Sequence, residues 1–134
     1  MAKKKKRDKG FTETEWAIIR TIWENEPVAA PTIQEQLEPD RGWTYSTVKT
    51  IMDRMVKKGY LKTQKVRNVI LYRTAVKKDQ ARKGEIRRTL NRAFDGEVGP
   101  MIQFILDNRK VSNEELDEIE KMVKDAEAHA EEDA

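Results

Sequence analysis

Ser46, Thr47, Thr50 and Arg54 recur at i, i+1, i+4 and i+8, which puts them on one side of the chain if the stretch is helical. Short hydroxyls let a helix lie close to base edges, and an arginine can pair bidentately with guanine in a major groove. That side carries no apolar residue and no bulky glutamate for phosphates to repel. Lys49 belongs to the same stretch and faces either phosphate or solvent. The chemistry these residues offer is recognition of double-stranded DNA.

Bond-making chemistry has little to draw on. The 134-residue chain contains no cysteine, so disulfides and thiolate metal sites are excluded. Its one histidine, His129, has no companion ligand, and its two serines, Ser46 and Ser112, each stand where a helix should begin. Glu114, Glu115, Asp117 and Glu118 suit a first helical turn, where carboxylates complement the helix dipole. No catalytic residue, metal or cofactor is expected. Trp16, Trp23 and Trp43 are spaced as core anchors rather than as a stacking platform for single strands.

The elements that would position the hydroxyl face are legible on both sides of it. Thr44 is an N-cap, and Gly59 after Lys57-Lys58 is a C-terminal stop. Val48, Ile51, Met52 and Met55 give this helix an apolar side for a core. Upstream, Thr12 and Glu15 form a T-x-x-E capping box with Phe11 and Trp16 as its hydrophobic staple. Trp16, Ile19, Ile22 and Trp23 continue that first helix until Pro27 stops it. A short second helix begins near Pro31, buries Ile33 and Leu37, and is expected to end at Pro39, with Asp40-Arg41-Gly42 as a turn. Downstream, Tyr60–Lys65 and Val69–Arg73 read as a hairpin around Arg67-Asn68. Three helices and a hairpin are the order of a winged helix-turn-helix. Lys62, Lys65 and Arg67, with Arg73, would make a basic wing able to touch the sugar-phosphate backbone.

Charge is distributed to match. Through Val76 there are 16 Lys+Arg against 9 Asp+Glu, whereas from Ser112 to the end there are 2 against 10. A basic front and an acidic tail suggest a polyanionic partner for the front alone. The chain is read as a basic arm (1–10), a winged-helix domain (11–76) and a helical region (77–134) that makes it a dimer. The lysine-rich start precedes no apolar stretch, and the expected location is cytoplasmic.

The helical region carries three apolar stripes. Ile86, Leu90, Ala93 and Phe94 form one, ended by Asp95-Gly96; Val98, Met101, Ile102, Ile105 and Leu106 form the next. Ser112 and Glu115 repeat the capping box, and Leu116, Ile119, Met122 and Val123 follow before an Ala/Glu tail expected to fray. This is more apolar surface than a thin winged helix can cover, so Phe94, Ile105, Leu116, Ile119 and Met122 are expected in a homodimer interface.

The string Gly42-Trp43-Thr44-Tyr45-Ser46-Thr47-Val48-Lys49-Thr50, then Arg54 and Lys57-Lys58-Gly59-Tyr60-Leu61, resembles the penicillinase-repressor family, the BlaI/MecI/CopY group of bacterial regulators. Glu15-Trp16, Ile22-Trp23, Leu71-Tyr72 and Ser112 to Leu116 extend the likeness over nearly all but the basic arm. The resemblance implies a repressor that binds a palindromic operator as a homodimer, often through TACA and TGTA half-sites. Contacts would fall at Ser46, Thr47, Thr50 and Arg54. In the beta-lactamase branch a membrane sensor metalloprotease cuts between an asparagine and a phenylalanine in the helix before the S-x-x-E cap. Aligned on that cap, the point is Gln103-Phe104, where glutamine differs from asparagine by one methylene. Met101, Ile102, Phe104 and Ile105 should leave this helix partly buried. The copper branch acts through a cysteine-rich tail, absent here. Two other classes stay open: a winged helix used as a protein-interaction module, and a repressor that senses a small ligand.

Overall fold

The computed structural model describes residues 10–133, so the basic arm up to Lys9, Lys3 to Arg7 included, lies outside the described residues. Helix α1 spans Glu13–Asn25, strand β1 Val28–Ala29, α2 Ala30–Arg41, α3 Tyr45–Lys57, β2 Leu61–Val66 and β3 Val69–Thr74. Helices α4 (Lys78–Phe94), α5 (Val98–Asn108) and α6 (Asn113–Asp133) follow. Contacts divide the chain into two compact units, one ending at Arg88 and the other beginning at Thr89, within α4.

In the first unit the local signals act as written. The Thr12 hydroxyl accepts from the Glu15 amide at 3.2 Å, and Glu15 Oε1 accepts from the Thr12 amide at 2.8 Å. The staple is an edge contact between the Phe11 and Trp16 rings at 5.0 Å. α1 then buries Ile18, Ile19 and Ile22, α2 buries Ile33 and Leu37, and α3 buries Val48, Met52 and Met55. Tyr60, Leu61 and Tyr72 close the same core from the hairpin. Each fully buried isoleucine removes enough apolar surface to stabilise the fold by about 1.5–3 kcal/mol.

Two features depart from the sequence reading. Pro39 does not end α2; the helix carries it and runs on to Arg41. A proline in the last turn removes only one intrahelical bond. Gly42 supplies the stop instead, in the left-handed region at φ 64° with its amide on the Glu38 carbonyl. The hairpin also has a third strand: β1 pairs antiparallel with β3, setting Val28 opposite Tyr72 and Ala29 opposite Leu71. Two residues between a proline and a helix are too few to show an alternating pattern.

In the second unit, the end of α4 turns through Asp95 (φ 51°) and Gly96 (φ 81°), with the Glu97 amide on the Phe94 carbonyl. The Ser112 hydroxyl caps α6 by accepting from the Glu115 amide at 3.1 Å. The tail expected to fray is helical through Asp133, consistent with the high helix propensity of alanine and glutamate. Among the described residues, neither α5 nor α6 has a buried side chain.

Candidate nucleic-acid interface

Helix α3 has two unlike sides. Val48, Met52 and Met55 are fully buried, while Ser46, Thr47, Thr50 and Arg54 are all exposed. Its first turn is set by hydroxyls: Thr44 Oγ1 accepts from the Thr47 amide at 3.2 Å and donates to the Thr47 hydroxyl at 3.1 Å. Ser46 Oγ lies 3.3 Å from Thr44 Oγ1. The outer face thus begins with polar groups around amides at the positive end of the helix dipole, which suits an anion or a base edge.

The far end of α3 is tied down. Lys58 Nζ donates to Glu15 Oε2 at 2.7 Å, and that carboxylate is almost wholly buried. Because Glu15 also accepts the Thr12 amide, one side chain caps α1 and anchors the C-terminus of α3. Removing it would leave Lys58 and one helix-end amide without these partners.

Two exposed residues of α3 were missed in the sequence. Tyr45, at its first position, lies off the outer face, about 100° round the helix from Ser46. The other, Asp53, lies on that face and contradicts the expectation of a face built only from hydroxyls and cations. Its carboxylate accepts from Lys49 Nζ at 2.7 Å and from the Tyr72 hydroxyl at 3.2 Å. Lys49 also lies over the Tyr72 ring, 5.7 Å from its centroid. The bond to Asp53, and then that to Tyr72, hold the lysine above the usual range, while burial raises the Tyr72 phenol. Lys49 is therefore engaged with protein groups, its side chain 30% exposed. The i,i+4 spacing of Lys49 and Asp53 was the available signal.

The wing residues divide by face. Side chains directly opposite in an antiparallel pair lie on the same face, and alternate positions on opposite faces. Thr63 pairs with Tyr72 and Lys65 with Ile70, so Lys65 shares the face of Tyr72, which meets α3. Lys62 pairs with Arg73 on the other face. Arg67 occupies the two-residue turn in the left-handed region at φ 57°, a conformation costly for a side chain of this size. Lys62, Lys65 and Arg67 are all exposed.

The residues expected to self-associate lie on the second unit. Phe94 packs edge-on against Phe104, ring centroids 6.1 Å apart. Ile105, Leu116 and Met122 are exposed, Met122 at 63%, and Ile119 is half-buried. The expectation of a partly buried α5 around Gln103-Phe104 is corrected: Phe104 is 58% exposed, Ile102 and Ile105 are exposed, and only Met101 and Leu106 are half-covered. Gln103 is exposed and donates to Asp107 at 2.9 Å. No helix among the described residues is long and apolar enough to cross a membrane.

Comparison with known proteins gives concordant matches. The profile of the penicillinase repressor family matches residues 11–125. An uncharacterized 16.5 kDa protein of Latilactobacillus sakei is 26% identical over 113 residues, covering 84% of this chain and 77% of its own. A penicillinase repressor of Staphylococcus aureus is 23% identical over 111 residues, covering 83% and 88%. The methicillin resistance regulatory protein MecI of Mammaliicoccus sciuri is 20% identical over 113 residues, covering 84% and 92%. The solution structure of the DNA-binding domain of the repressor BlaI aligns at a TM-score of 0.48 and 21% identity over 52% of this chain and 85% of that one. With its family profile matched from Phe11 to Asp125, the chain belongs to the penicillinase repressor family, a group of DNA-binding transcriptional repressors and not enzymes.

Proposed function

We propose that the chain represses transcription as a homodimer on an inverted-repeat operator, each copy placing α3 in a major groove and its wing on the adjacent backbone. The observation that carries this reading is the two-sidedness of α3, with Ser46, Thr47, Thr50 and Arg54 exposed and Val48, Met52 and Met55 fully buried. Thr47, Thr50 and Arg54 read bases, and Ser46 serves the helix start. Lys65 and Arg67 meet phosphate; Lys62 is on the face away from α3 and contributes less. A winged helix that binds protein would instead present an apolar outer face. DNase footprinting on the DNA upstream of the chain's own gene and its neighbours tests this. A protected inverted repeat, lost with Arg54→Ala, is expected; no protection at any concentration would refute it.

The homodimer is supported by the apolar face of the second unit, with Phe94, Ile105, Leu116, Ile119 and Met122 as interface residues. A symmetric interface uses each of them twice. The relatives named penicillinase repressor and methicillin resistance regulatory protein favour beta-lactam resistance genes as the targets. Relief follows from cleavage at Gln103-Phe104 by a membrane sensor metalloprotease. The cut would separate the winged helix from Leu116, Ile119 and Met122, leaving a monomer on a half-site. The peptide's place inside α5, beside interface residue Ile105, requires that helix to open first. The repressor's size after exposure of its host to a cell-wall antibiotic decides: a fragment ending at Gln103 supports the cut.

One observation favours a second reading, a ligand-sensing repressor. A cleft of about 430 Å³ lies in the first unit between Phe11, Tyr60, Val76, Gln80, Ala81 and Arg88. It touches both the loop after α3 and the start of α4, so an occupant would affect both. Derepression by antibiotic with full-length protein intact would favour it over cleavage.

A further inference from the structure

Within the DNA-facing role assigned to α3, on which this inference rests, Asp53 is out of place. A carboxylate on that face adds repulsion to a phosphate backbone, and it is 51% exposed at the side chain. Its neighbours explain what it does. Lys49 reaches it at 2.7 Å and the Tyr72 hydroxyl at 3.2 Å, both on the same oxygen, Oδ1. A Lys-to-Asp pair running in this direction along a helix is the weaker orientation of an i,i+4 pair. Here it is reinforced from outside the helix. Tyr72, itself buried in the core, fixes the carboxylate from β3 and presents its ring beneath the ammonium.

We propose that Asp53 is a specificity-determining residue that withholds Lys49 from the DNA backbone, so that α3 approaches DNA with one cation fewer than its sequence offers. Each lysine on phosphate strengthens binding to every sequence alike. Engaging Lys49 within the protein lowers that indiscriminate share and leaves Thr47, Thr50 and Arg54 to decide where the repressor rests. Because Tyr72 belongs to the wing, the same carboxylate also fixes the wing strand against α3.

The test is the salt dependence of binding to a random-sequence 30-base-pair duplex by the full chain, measured by fluorescence anisotropy. Asp53→Asn removes the charge but keeps the shape and a hydrogen-bonding group for Tyr72, and unaltered circular dichroism checks its fold. Releasing Lys49 should steepen the slope of log K against log salt by about one unit and tighten binding roughly fivefold to tenfold at 0.1 M salt. Asp53→Asn/Lys49→Gln should return the slope to that of the parent. An unchanged slope in Asp53→Asn would show Lys49 already on phosphate and overturn the proposal. So would a steepening that persists in the double variant, since loss of repulsion would then account for it. Arg54→Ala, measured in the same way on a duplex carrying the footprinted operator, separates the two levels. If it weakens binding while Asp53→Asn fails, the inference alone is wrong; if it changes nothing, the role of α3 is wrong too.

Discussion

The two halves of this chain bury their isoleucines differently. Ile18, Ile19, Ile22 and Ile33 in the first unit are fully covered, Ile51 is half-covered, and Ile70 in the wing and Ile86 in α4 are exposed; in the second unit Ile102 and Ile105 lie exposed and Ile119 is only half-covered. Both halves have amphipathic helices, one in each capped by a hydroxyl, Thr12 and Ser112, so local helix formation is not the difference. The first unit folds three helices and a hairpin around one another and completes a core within a single copy. The second strings helices that, taken by themselves, leave Ile102, Ile105, Leu116 and Met122 exposed. Apolar patches of this kind mark association surfaces. A finished reading head and an unfinished coupling segment is what a dimeric DNA-binding protein requires.

The largest expected effect follows from that contrast. Ile22→Ala should destabilise the winged helix by about 2–5 kcal/mol, the usual range for such a truncation in a closed core. Ile105→Ala, measured by urea denaturation at a concentration low enough to keep the chain monomeric, should change it by less than about 0.5 kcal/mol. Equal losses at the two sites would erase the distinction. Next comes Ile119→Asp, which should split the dimer and lower operator affinity about a hundredfold, since a half-site loses the tethered partner. Sedimentation and a band-shift series would check both effects. A variant still dimeric would move the interface elsewhere.

The first unit was far more legible in the sequence than the second for the same physical reason. Capping, staple, glycine stop and hairpin turn are local signals, and Thr12, Glu15, Phe11, Trp16, Thr44 and Gly59 reported them directly. Pro39 misled because a proline in a final helical turn costs one bond and need not end the helix. β1 was invisible because its pairing with β3 is a tertiary event two residues long. The outer face of α3 is read from residue type, which singles out Thr47, Thr50 and Arg54, all exposed, and passes over Asp53. Its role depends on Tyr72, 19 residues away, and no periodicity links the two. In the second unit the apolar stripes were clear, but burial there was overestimated, as with Ile102, Phe104 and Ile105. Periodicity reports which side is apolar and says nothing of what covers it.

Within the reading head, helix and wing should separate by kind of effect. Thr47→Ala and Arg54→Ala should each cost about 1–3 kcal/mol on a cognate site and relax preference at one position. Lys65→Ala should weaken all sequences alike and flatten the salt slope by roughly one unit. Competition binding against single-base operator variants distinguishes the two behaviours, and a wing variant that altered base preference would reverse the assignment. The smallest effect is at the turn. Arg67→Gly removes a phosphate contact and also the left-handed strain at φ 57°, so DNA affinity should fall while stability rises by about 1 kcal/mol. A thermal melt and the same salt series read the two signs together.

The central claim is that two winged helices, joined through the second unit, read one site in tandem. Selection of duplexes from a random-sequence pool by the full chain tests it most directly, because the enriched DNA records both the bases read and the symmetry of the reader. The account predicts an inverted repeat whose half-sites are separated by one helical turn or a multiple of it, and predicts that Ile119→Asp no longer enriches it. A single unrepeated motif, or no enrichment at all, would contradict the account.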